Sequence, residues 1–216
     1  MTTSTINGLA TEQTTQLTDD MFVMQTAAGV TKKIKATNMK LVGFDNIPIQ
    51  FTAIANTGAT APTLTVLRTG ITLPTFNGVS TLNELFGTIV IPHTYVASTA
   101  VYFYINWAHA IASPTGNAVW QIGYSIAKSD GTALPAITNL TTVATPGVQY
   151  GNVKTETASV SSASIEVDSV ITVRLFRDPT HGSDTFANDI MLLSAGLHIQ
   201  TDSKTTVGRT SPYTKV

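Results

Sequence analysis

The sequence predicts an all-β protein: an antiparallel two-sheet sandwich, expected to be a jelly roll, preceded by an extended N-terminal arm and a small β-hairpin. Three observations point there. Apolar and aromatic residues recur at every second position through much of the chain, the period of half-buried strands. Clusters of Gly, Pro, Asn and Asp interrupt that pattern at about the 8–12-residue spacing of all-β domains, leaving about eight main strands. No segment carries the period of an amphipathic helix, and the sequence has no internal repeat.

The elements follow in order. Residues 1–16 are mostly Thr, Ser, Gln and Asn with scattered Ile6 and Leu9. Such a segment cannot bury enough apolar surface to fold alone and reads as an arm. Met21–Gln25 and Val30–Lys35 are short strands about a turn at Ala27, Ala28 and Gly29, a hairpin too small to be stable without a partner surface. The sandwich begins near Leu41. Ile47–Ile54 alternates, with Pro48 suiting a strand start or edge. Asn56-Thr57-Gly58 turns the chain, and Leu64–Leu67 is a short strand ended by Thr69-Gly70. Thr72–Ser80, with Pro74 and Asn77-Gly78, reads as loop. Leu82–Ile91 finishes on β-branched residues and is closed by Pro92.

Val101–Ile126 is the stretch around which the rest is organised. Val101, Phe103, Ile105 and Trp107 share one face, with Tyr102, Tyr104 and Asn106 opposite. After turn residues Ser113, Pro114, Gly116 and Asn117, the positions Ala118, Trp120, Ile122, Tyr124 and Ile126 share another face. Both tryptophans of the chain lie here, so these two strands, read as a hairpin, are expected at the centre of the core. Asp130-Gly131 is a hairpin-turn signal. Ala133–Val153, with three of its positions Gly or Pro after Pro135, reads as a long loop. Val153–Ser164 is polar and β-prone, as at a sheet edge. Ser169–Phe176 is a buried strand and Arg177–Gly182 a tight loop. Asp189–Gln200 is the last long strand, with Met191, Leu193, Ala195, Leu197 and Ile199 facing inward. The expected organisation is an attachment arm and hairpin at 1–40, a sandwich domain at 41–203 and a polar tail at 204–216.

Composition narrows the function. Hydrophobic residues make up 43% of the chain and charged residues only 12%, about half the usual share. The surface must be built largely from Thr, Ser, Asn and Gln, and with a net charge of −1 it offers little colloidal repulsion. A permanent assembly suits such a surface better than life as a free monomer. The chain has no cysteine, which excludes disulfides, thiolate metal sites and cysteine nucleophiles. The near-neutral balance gives no electrostatic footprint for nucleic acid. No apolar run reaches the ~20 residues of a membrane span. The first residues lack a signal peptide's basic start and apolar run, so synthesis in a cytoplasm without general secretory export is expected. There is no G-x-S-x-G elbow, Walker loop or metal motif, and neither an enzymatic activity nor a cofactor is assigned.

The run from N-E-L-F-G-T-I-V-I-P-H-T-Y to R-L-F-R-D-P-T-H-G-S-D-T-F-A-N-D-I-M-L-L-S-A-G-L-H-I-Q resembles a β-sandwich of tailed-bacteriophage virion accessory proteins. Trp107, Gly116, Trp120, Tyr124, Arg174, Arg177, Asp178, Asp184, Thr185, Phe186 and His198 match that pattern. The D-D-M-F-V-M-Q-T-A-A-G-V-T-K-K-I-K segment is similar to the hairpin that starts many phage head and tail accessory proteins. Histidines of the family strand are replaced here by Tyr102 or Tyr104 and by Asn106, which puts any ion or proton role of those histidines in doubt for this chain. The resemblance implies a virion structural protein, symmetric and often trimeric.

The candidate residues divide between bland and functional readings. Arg174, Arg177, Asp178, His181, Asp184 and Asp189 form the densest charged cluster. Their spacing matches no calcium loop or zinc motif, which favours loop caps and ion pairs at a subunit contact. His93, His109 and His198 lack partners at catalytic spacing and read as structural. Tyr102 and Tyr104 oppose the core face and read as a subunit contact before a sugar platform. The interface set is Phe22, Met24, Ile34, Tyr102, Tyr104, Arg177 and Asp178. The expected function is capsid decoration, a cement protein on the outer surface of the virion that binds the major capsid protein as a homotrimer through its arm. The alternative is a tail-fibre-tip or head-fibre module, docked to tail proteins, whose 133–153 loop contacts host glycan.

Overall fold

A computed structural model describes residues 21–25, 31–35, 42–52, 60–79, 81–161 and 165–202. The expected arm, the turns at Ala27–Gly29 and Asn56–Gly58, and the C-terminal tail lie outside them. The chain divides into two units, Met1–Leu41 and Val42–Val216. In the first, β1 (Met21–Gln25) pairs antiparallel with β2 (Thr31–Lys35), setting Phe22 opposite Ile34 and Met24 opposite Lys32.

The second unit contains β3 (Val42–Pro48), β4 (Gln50–Thr52), β5 (Thr63–Arg68), β6 (Ile71–Phe76), β7 (Glu84–Val90), β8 (Val101–Ala108), β9 (Ala118–Ala127), β10 (Thr138–Ala144), β11 (Val153–Val160), β12 (Val170–Arg177) and β13 (Ile190–Asp202). One sheet has the order β10-β9-β12-β7-β4; the other runs β11-β8-β13-β6-β5, with β3 also on β13. All named pairings are antiparallel. The set β3-β13-β8-β11 facing β7-β12-β9-β10 is the strand order of a jelly roll. The fold class is therefore the one the alternation predicts.

The core lies between the inner faces. Val101, Phe103, Ile105 and Trp107 of β8 meet Ala118, Trp120 and Ile122 of β9, and all are fully buried. Phe76 packs edge-on against Trp120 at 4.9 Å, and the two indoles approach to 6.4 Å. Burying each large apolar side chain is worth about 1.5–3 kcal/mol, so this block dominates the stability of the domain.

Five local expectations are corrected. First, β8 and β9 are not a hairpin: β8 pairs with β11 and β13, β9 with β10 and β12. Both inner faces need cover, and each supplies it to the other across the sandwich. The connection is an arch between sheets that stand about 10 Å apart. Second, the strand expected at Ile47–Ile54 breaks at Ile49. β3 joins one sheet and β4 the other, and the Ile49 amide donates to Ala195 O at 2.8 Å. Third, Thr72–Ser80 is not all loop, because β6 runs through Pro74. The proline is accommodated where β6 meets β13 only at Thr75 and Phe76. Fourth, the 133–153 run contains β10, a polar edge strand with Leu140 packed on the core. Fifth, the alternation of β13 shifts at a bulge between Leu192 and Ser194. Ile190 and Leu192, then Ala195, Leu197 and Ile199, face the core, while Leu193 is exposed. One extra residue moves every later side chain to the other parity.

Candidate functional site

The outer face of the β11-β8-β13 sheet holds the most polar chemistry. The register places Tyr104 of β8 beside Glu156 of β11 and Gly196 of β13. A Cβ on Gly196 would meet the Tyr104 hydroxyl at 2.6 Å and Ile47 O at 2.3 Å. Glycine is therefore what lets the phenol lie flat across β13. Its ring stacks on His198 with centroids 4.7 Å apart, and Lys154 Nζ lies 5.8 Å from the ring centroid. His198 Nδ1 lies 2.5 Å from Glu156 Oε1, and Lys154 Nζ lies 3.2 Å from Nε2. An ammonium can only donate, so Nε2 accepts and Nδ1–H donates to the carboxylate. The imidazole thus bridges Lys154 and Glu156. Asn106 Nδ2 donates to Ser194 Oγ at 2.9 Å alongside.

Tyr102 and Tyr104 lie on the outer face, as their alternation requires, but they differ. Tyr102 is half-buried, whereas Tyr104 is buried under its own neighbours, and that burial pushes its hydroxyl pKa up. The grouping of Tyr104 with Lys154, Glu156 and His198 was not visible in the sequence. It depends on cross-strand register, which no local spacing reports.

The charged cluster does not stay together, and the His181 ring accepts from the Ser183 amide in its own loop. Arg177 is 1% exposed. Its Nε and Nη2 donate to Asp184 at 2.9 and 2.8 Å, and Nη1 donates to Asn188 O at 2.6 Å. Nη2 also donates to Phe186 O. Asp184 in turn accepts from the Val119 amide at 2.8 Å. The Asn117 carbonyl accepts from the amides of Thr185 and Phe186. Gly116, at φ 87°, leaves no room for a Cβ, which would meet Thr185 O at 2.4 Å. Asp178 caps its own turn through Thr180 and accepts from Gln121 Nε2 at 2.8 Å. Gly116, Arg177, Asp184, Thr185 and Phe186 therefore form one brace, tying the arch to the loop before β13. Arg177 is spent inside the chain.

Elsewhere, Arg174 pairs with Glu84, and Asp189 accepts from the Gly78 amide at 3.0 Å. His109 is buried, donating from Nε2 to Gly147 O at 3.0 Å and accepting from the Ile111 amide. Among the described residues no group of three or more His, Asp or Glu is placed to hold a metal ion, and no helix is long and apolar enough to cross a membrane.

The β5–β6 ribbon stands apart. Leu67 packs on Ala108 and Met191, but Leu64 is 71% and Val66 59% exposed, with Ile71 exposed beside them. β5 ends its sheet, and its outer edge pairs with no strand among the described residues. Phe44 on β3 is 73% exposed.

No protein-family model and no curated protein matches the chain. Among solved structures, the carbohydrate-binding module TmCBM61, in complex with β-1,4-galactotriose, is 8% identical. The match covers 75% of this chain and 87% of that one, with a TM-score of 0.28, a likeness too weak to support any functional comparison.

Proposed function

We propose that this chain is a non-enzymatic structural protein of a bacteriophage virion, a decoration or cement protein that binds the head shell as a symmetric oligomer, with its N-terminal arm as the clamp. The observation that carries the reading is the β5 edge. An apolar, unpaired strand edge on a free protein invites edge-to-edge pairing, and charges or prolines are the usual protection. Here the exposed positions are Leu64 and Val66, on a chain with 12% charged residues. Such an edge suits a protein that functions within an assembly, where the edge is covered. The separate Met1–Leu41 unit supports the clamp, since a tether adds contacts whose weak affinities multiply.

The test is quantitative mass spectrometry of purified virions against the major shell protein. A copy number comparable to the shell protein is expected. A small fraction of that number would move the protein to the tail, and absence from virions would overturn the reading.

A further inference from the structure

The outer face of the β10-β9-β12-β7-β4 sheet carries a cleft of about 300 Å³, at the small end of ligand pockets and roomy enough for about one sugar ring. It spans four strands. The backbone at Val173 and Gly123 forms its floor, Phe86 and Ile137 stand as apolar walls, and Gln50, Thr88, Thr172 and Arg174 line it with polar groups. Gly123 is a requirement of the shape: a Cβ there would meet Asn139 Oδ1 at 2.7 Å and Ile137 Cγ2 at 2.8 Å. The glycine lets the loop after β9 fold down and close one end.

The charge in the cleft is balanced. Arg174 pairs with Glu84, whose side chain is 1% exposed, and its guanidinium stacks over Phe176 at 4.3 Å. Arg174 Nε and Glu84 Oε2 are buried, and neither has a hydrogen-bond partner among the described residues. Both atoms lie out of reach of solvent and so of a ligand in the cleft. A phosphate or carboxylate ligand would need an uncompensated cation, which the pair denies it. A purely apolar ligand would strand the amide and the hydroxyls out of water. A ligand bearing hydroxyls on one edge and C–H groups on its faces satisfies both halves of the lining.

We infer that this cleft binds a neutral saccharide, with Phe86 and Ile137 against its C–H face and Gln50, Thr88 and Thr172 toward its hydroxyls. The site is independent of the assembly reading: either can fail while the other stands.

The experiment titrates methyl glycosides of glucose, galactose, mannose, rhamnose and N-acetylglucosamine into the full-length protein, following backbone amide shifts by NMR, with inorganic phosphate as the anionic probe. At least one glycoside is expected to give saturable shifts at Gly123 and Val173. Thr88→Val, which keeps the shape of an exposed side chain, is expected to weaken that binding about fivefold or more. Three results would overturn the inference: no saturable shift at these residues with any glycoside, tighter binding of phosphate, or unchanged affinity in the Thr88→Val protein with its fold intact.

Discussion

The β8–β9 arch and the β5–β6 ribbon are written in the same alternating code, yet they end in opposite environments. In the arch, Phe103, Trp107, Trp120 and Ile122 are fully buried because each sheet supplies the other's cover. In the ribbon, Leu67 finds cover on Ala108 and Met191 while Leu64 and Val66 face solvent. Alternation specifies which residues share a face; it does not say whether anything lies against that face. The arch is covered on its inner faces, and Leu64 and Val66 of the ribbon have no cover among the described residues.

The sharpest test of the contrast is Trp120→Ala. Removing a fully buried indole should cost about 3–5 kcal/mol, a large part of the 5–15 kcal/mol typical of a domain, read as a lower urea midpoint. A cost below about 1 kcal/mol would mean that the arch is not the core, and the comparison would collapse.

Arg177→Met comes next. It leaves Asp184 buried without its cation and loosens the join between the arch and the loop before β13. Breaking a buried pair on one side costs about 3–5 kcal/mol. Replacing both partners with apolar residues should recover part of the loss, because the stranded carboxylate is then gone; urea unfolding of Arg177→Met and of Arg177→Met with Asp184→Leu measures the difference. If the double variant is no more stable than the single one, the brace acts through shape rather than charge.

These two regions also mark what was legible in the sequence. The fold class, the inward faces of β8 and β9 and the edge position of β11 follow from local period and composition. Facts about partners do not. The arch was read as a hairpin because two strands in sequence look alike whether they pair or face one another. Pro74 hid β6, and polarity hid β10, since an edge strand keeps little of the pattern. In β13 a bulge reversed the parity that Leu193 was assigned. The contact of Tyr104 with His198, Lys154 and Glu156, and the cleft beside Arg174, both arise from registers across three or more strands. The motif positions near Arg177 were visible but are spent on the brace, so they speak to the fold before the function.

Tyr95 extends the comparison to a polar group inside the core. It is fully buried, and its hydroxyl donates to Thr99 O at 2.7 Å. Burial pushes its pKa above the ordinary value near 10, with the Thr99 bonds pulling it partly back. Folding therefore favours the protonated form. The contribution is complete below about pH 10 and is lost as pH rises through the folded value. Tyr95→Phe should cost about 1 kcal/mol at neutral pH and flatten the alkaline fall in stability, measured by urea titration from pH 8 to 11. Tyr104, raised in the same direction, leaves part of the fall in place. An unchanged alkaline limb would show that Tyr95 is not among the groups that drive it.

The smallest effect on stability is expected at Leu64 and Val66, and there the comparison is most informative. Both are largely exposed, so Leu64→Ser with Val66→Thr removes little buried area, and the change in unfolding free energy should stay within about 0.5 kcal/mol per site. Thr keeps the β-branch that strands favour, and Ser at Leu64 sits at the unpaired edge of the sheet. The same pair should strongly weaken self-association or shell binding, measured by analytical ultracentrifugation and by co-sedimentation with heads lacking the protein. A loss of assembly at constant stability would mean that the ribbon's missing cover is another chain. A large loss of stability with assembly unchanged would mean that the cover comes from this chain itself, and the contrast with the arch would disappear.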